Sequence, residues 1–89
     1  MKYYKRINGD YARIGRYDGN IHSPLFGTYY IDFRTVFGSK NDYEVPHGLT
    51  LFDCEKWLND NGFVELENPI IAADGFPIQG DYSIKYFSN

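Results

Sequence analysis

The chain has little of what catalysis and metal binding usually require. One cysteine, Cys54, occurs in 89 residues, which excludes an intramolecular disulfide and a cysteine-based metal cluster. Two histidines are present, His22 and His47. Neither stands in a His-x-x-x-His or His-Glu-x-x-His spacing, so no metal site is expected. Asn59-Asp60-Asn61-Gly62 has the first letters of a calcium loop but not its later ligands, and a helix C-cap explains it better. Gly38-Ser39-Lys40 lacks the upstream glycine of a phosphate loop, and neither a Gly-x-Ser-x-Gly nor a dinucleotide fingerprint occurs. No cofactor is expected. Apolar runs fall far short of a bilayer's thickness. Met1-Lys2-Tyr3-Tyr4-Lys5-Arg6 is not followed by the apolar stretch of a secretory leader. The expected compartment is therefore the cytoplasm, with no membrane partner.

Aromatic side chains are abundant: nine Tyr, seven Phe and one Trp. Tyrosine carries a hydroxyl on a large apolar ring and favours the margin of a core or the middle of an interface. So short a chain is not expected to bury all nine rings. The apolar fraction, 43%, suits one modest core, and a single domain over residues 1–89 is expected. Net charge is −3, unevenly placed. Through Arg34 there are six Lys or Arg against three Asp; from Thr35 onward there are three Lys against nine acids. Such a split marks either two surfaces with different partners or a fold that mixes the halves.

Turn signals divide the first third. Lys2–Ile7 and Tyr11–Tyr17 flank Asn8-Gly9-Asp10, and Asp18-Gly19-Asn20 follows; Asn-Gly and Asp-Gly are the strongest short hairpin signals. With Asn8-Gly9 as a two-residue turn, Arg6 faces Tyr11 and Tyr4 faces Arg13. Tyr3, Ile7, Ala12 and Ile14 then share an inner face marred by Lys5 and Asp10. Lys2, Tyr4, Arg6, Tyr11 and Arg13 share an outer one. A three-residue turn would slip this register. Leu25 to Phe33 reads as a third strand, with Leu25, Tyr29, Ile31 and Phe33 inward and Phe26, Thr28, Tyr30, Asp32 and Arg34 outward. The polar stretch Gly38–Gly48 reads as a long loop. A helix over about 51–61 is expected from Leu51, Cys54, Trp57 and Leu58 at helical spacing. Thr50 is its N-cap and Gly62 its left-handed terminator. Phe63–Glu67 and Tyr82–Phe87 read as further strands. The fold class expected is α+β: a small antiparallel sheet of four to six strands, opened by an N-terminal β-hairpin, with one amphipathic helix on one face.

Function is read from surfaces. Cys54 and His47 would make a thiol nucleophile only if paired, and Cys54 sits at an apolar helical position where cysteine behaves as a small hydrophobe. A non-enzymatic interaction protein that binds, and inhibits or modulates, a macromolecular partner is the expectation. The partner is expected to be a protein, and the residues expected to meet it are Tyr4, Arg6, Tyr11, Arg13, Tyr30, Arg34 and Tyr43. Inhibitors from phages and other mobile elements and toxin-immunity proteins share this size and style, an analogy without a motif. Two alternatives stand beside it. Arg and Lys beside exposed rings suit single-stranded nucleic acid, although the chain is net acidic. A small Cys/His enzyme is the other. An exposed strand edge also leaves a homodimer open.

Overall fold

The structure is a computed structural model that describes residues 2–7, 9–35, 48–80 and 82–84. Among these residues four strands and one helix follow the chain as β1 (Lys2–Arg6), β2 (Tyr11–Arg16), β3 (Tyr29–Arg34), α1 (Leu51–Asp60) and β4 (Phe63–Glu65). The strands form one antiparallel sheet in the order β3-β2-β1-β4, opened by the N-terminal hairpin, with α1 packed across one face. This is the expected α+β architecture, at the lower end of the expected strand number.

The first hairpin departs from the expected register. Lys2 pairs with Ile14, Tyr3 with Arg13, Tyr4 with Ala12 and Lys5 with Tyr11. Arg6 N–H donates to Asp10 O at 2.9 Å, so three residues rather than two make the loop, and Gly9 takes φ 95°. A glycine with positive φ as the last loop residue is the usual way a three-residue hairpin loop closes. The one-residue slip turns every β1 side chain over. Tyr4, expected outside, is 3% exposed beneath the helix, whereas Ile7, expected in the core, stands fully in solvent at 102%. Charge explains the choice. The two-residue turn would place Lys5 mid-strand under the helix. The observed register instead puts Lys2 and Arg6 on the helix face at the strand ends, and Lys2 Nζ reaches the Glu55 carboxylate on α1. Adjacent tyrosines at positions 3 and 4 supply a ring to the core in either register, so the apolar pattern does not decide.

The helix follows its sequence closely. Thr50 Oγ1 accepts from Asp53 N–H at 3.1 Å, a cap worth about 1 kcal/mol. Asn61 ends the helix and Gly62 turns the chain with φ 81°. Cys54 and Leu58 face the sheet with no exposed surface, among Tyr4, Ala12, Ile14 and Phe63. Tyr29, Ile31, Phe33, Leu51 and Trp57 pack at the margin of this cluster, as the strand and helix periods imply. Phe33 and Trp57 meet edge to face with centroids 5.6 Å apart, a geometry that adds to simple area burial.

The second sheet face is covered too, which the hairpin reading did not expect. After β4 the chain forms a small hairpin: Ala72 N–H donates to Phe76 O and Ile78 N–H to Ile70 O, each at 2.8 Å. Phe76 and Leu66 from this segment bury Tyr11 completely, with Tyr82 at the margin. Tyr11 keeps the face assigned to it but not the exposure. Strand β3 starts at Tyr29, not Leu25. Ser23-Pro24 and Gly27 instead give consecutive turns, with Phe26 N–H bonded to Ser23 O and Thr28 N–H to Leu25 O. In place of the start of the expected last strand, a single bridge joins Ile84 to Leu66; the part of that strand beyond Ile84 lies outside the described residues, as do most of the Gly38–Gly48 loop and His47. Among the described residues no helix is long and apolar enough to cross a membrane.

Candidate interaction surface

The residues expected to meet a partner do not form one open patch. Tyr4 lies in the helix-side core with its hydroxyl buried and without a hydrogen-bond partner. Burial, reinforced by the carboxylates of Glu65 and Glu55, pushes its phenol well above the usual tyrosine range. Tyr11 is buried on the opposite face, its ring 5.7 Å from Lys5 Nζ and 5.5 Å from the Arg34 guanidinium carbon. Arg13 binds Asp32 Oδ2 through Nη2 at 3.1 Å, donates from Nη1 to Gly75 O at 3.0 Å, and lies 4.5 Å over the Phe76 ring. Arg34 pairs with Asp74 at 2.8 Å. These two arginines fasten the 70–78 hairpin to the sheet. Tyr30 faces outward as expected, but its ring lies across Gly15 and against Tyr17, centroids 4.7 Å apart. Arg6 lies against Gly62 at the end of β1. Tyr43 lies outside the described residues.

Cys54 has no exposed surface, and burial first, then Asp53 and Glu55, pushes its thiol up to about 11. A thiol so placed is almost wholly protonated at neutral pH, and the thiolate is the nucleophilic form. Among the described residues no three His, Cys, Asp or Glu side chains come together as metal ligands.

What the fold does leave open is a groove on the sheet face away from the helix, at its β1–β4 side. Lys5, Arg6, Ile7, Gly62, Val64, Leu66, Tyr82 and Ile84 line it, enclosing about 440 Å³. Its geometry follows from register. Lys5 pairs with Val64 across β1 and β4, so both project from the same face. Two residues on, Leu66 projects the same way and is bridged to Ile84. Val64 is 40% exposed and Ile84 38%. Tyr82 forms one wall, its hydroxyl donating to Ile78 O at 2.7 Å. That bond joins the groove to the small hairpin, where Ile70, Ile71 and Ile78 are also exposed. Exposed aliphatics gathered around a concave site are how a binding surface differs from scattered surface apolar residues. Among the described residues the lining carries two cations and no carboxylate.

Of this lining, only Arg6 is among the residues expected from sequence to meet a partner. Val64 was half of an ordinary strand alternation, and Ile7 belonged to the core only under the two-residue turn. Leu66, Tyr82 and Ile84 become neighbours through a contact between chain segments far apart in sequence. An isoleucine directly before Asn-Gly was the one local signal, since a three-residue loop exposes it. No protein-family model, no curated protein and no solved structure matches the chain.

Proposed function

We propose that this protein is a non-enzymatic interaction domain that binds a protein partner and modulates it by covering a surface, in the manner of small inhibitors from mobile elements and of toxin-immunity proteins. The observation that carries this reading is the apolar groove of Val64, Leu66, Tyr82 and Ile84, continued by the exposed isoleucines of the 70–78 hairpin. A small domain gains stability from burying such side chains, so leaving Val64 and Ile84 exposed beside the buried Leu66 supports a binding role. The sheathed thiol of Cys54 supports a role without covalent chemistry. A protein partner is favoured over single-stranded nucleic acid, because Arg13 and Arg34 are held by Asp32 and Asp74 and Tyr11 is buried.

The test compares capture from the native host's lysate by the wild-type chain and by Val64→Glu and Ile84→Asp variants, with nuclease-treated lysate in parallel. Both substitutions are at exposed positions, and circular dichroism checks that the fold is kept. A protein retained by the wild type, insensitive to nuclease and lost by both variants is the expected result. Retention that is nuclease-sensitive, or unaffected by both variants, overturns the reading.

A further inference from the structure

Resting on that reading, we propose that the groove takes an extended segment of the partner that presents an aliphatic side chain and a carboxylate two residues apart. The argument comes from the order of groups along the groove. At one end, Lys5 stands beside Val64, with Arg6 and Ile7 just beyond. At the other, Leu66 and Ile84 form an aliphatic pair walled by Tyr82. These two ranks are two residues apart along β4 and the residue that follows it, which at the rise of a β-strand is about 7 Å. In an extended peptide, side chains at i and i+2 point the same way with the same separation. A ligand strand laid along the groove therefore brings one side chain to each rank.

Charge decides what the ligand carries at the Lys5 end. Among the described residues the Lys5 ammonium meets no carboxylate; it lies 3.4 Å from Gly80 O and 5.7 Å from the centre of the Tyr11 ring. A carboxylate there gains a charge-assisted bond beside apolar surface, where such bonds are stronger than in open water. The same charge argues against a second copy as occupant, since two-fold apposition of this groove sets Lys5 against its own counterpart. It also disfavours a basic segment, although the chain as a whole is net negative.

Selection from a randomised seven-residue peptide library on the immobilised wild-type chain tests this. Recovered peptides are then measured as synthetic probes against wild type, Lys5→Glu and Val64→Glu. The expected consensus pairs Leu, Ile or Val with Asp or Glu at a spacing of two. Affinity is expected to fall at least about tenfold in each variant, and a probe with Lys in place of the acid should regain binding to Lys5→Glu. A consensus without an acid, or binding indifferent to Lys5→Glu, overturns the inference; if that binding is still lost in Val64→Glu, the interaction surface itself stands. Recovered peptides indifferent to Val64→Glu, an absence of enriched peptides, or self-association of the chain abolished by Val64→Glu each overturn the occupant proposed here. Indifference to Val64→Glu also removes the groove as the binding surface.

Discussion

Tyr30 was expected to be a contact for a partner, and its packing implies a different role that a double-mutant cycle with Gly15 can expose. A Cβ added to Gly15 would stand 2.2 Å from Tyr30 Cζ and 2.3 Å from its hydroxyl. Ordinary contact needs well over an ångström more, so the ring must swing off the strand. Leaving forfeits its contact with Tyr17, worth roughly 0.5–1.5 kcal/mol, together with the area the ring buries on the backbone at about 25 cal/mol per Å². Against this, alanine relieves the entropic cost of glycine in a strand, about 0.5–1 kcal/mol. With roughly 40 Å² of ring surface returned to water, about 1 kcal/mol, Gly15→Ala should destabilise by about 0.5–2 kcal/mol, a fall in Tm on the order of 5–10 °C for a domain of this size. In a Tyr30→Ala background the clash is gone and the same substitution should be neutral or stabilising. Urea titration of the four proteins gives the coupling, expected at about 2 kcal/mol. An equal cost of Gly15→Ala in both backgrounds refutes the reasoning, and so does no cost in either.

Tyr4→Phe removes a buried hydroxyl without a partner and should leave stability unchanged or raise it by up to about 1 kcal/mol. Because burial raises the Tyr4 phenol above its ordinary value of 10.0, its contribution is complete below that pH and lost as pH climbs toward the folded-state value. The wild-type melting temperature should fall more steeply than that of Tyr4→Phe above pH about 10. Asp74 is held below its usual 3.8 by Phe76 N–H and then by Arg34, so its contribution is present above that value and fades as pH falls through the lowered one. Amide exchange at Ala72 and Ile78 should quicken there before exchange in the helix-side core, a step absent in Asp74→Asn. Thiol labelling of Cys54 at neutral pH should run at least about a hundredfold slower in the folded chain than in the unfolded one; labelling at the unfolded rate contradicts its burial.

Local chemistry made the helix legible from sequence, and the strand β3 in part. Thr50, the spacing of Leu51, Cys54 and Leu58, and Gly62 each act within a few residues, so α1 could be placed to within a residue. Alternation likewise placed Ile31 and Phe33 on the core side. The first hairpin was legible as a hairpin but not in register. Tyr3-Tyr4 is symmetric to a period-two pattern, and the choice between loops rests on where Lys2, Lys5 and Arg6 find solvent or a partner. The site fared worst. Of the residues that looked like one basic, tyrosine-rich face, Tyr11 and Arg13 seat the 70–78 hairpin, whereas Lys2, Tyr4 and Arg6 turn to the helix side.

The abundance of tyrosine and the scarcity of cysteine and histidine are properties of the sequence alone, and so are the helix, its caps and the α+β class, because each depends on composition or on neighbours one turn away. Which face of β1 enters the core, which arginines stay available, and where a groove remains open were decided only by tertiary structure. Those outcomes depend on a cross-strand register and on a segment sixty residues downstream folding over Tyr11. A side chain's exposure is set by what covers it, and for Tyr4, Tyr11 and Arg13 the cover comes from distant parts of the chain.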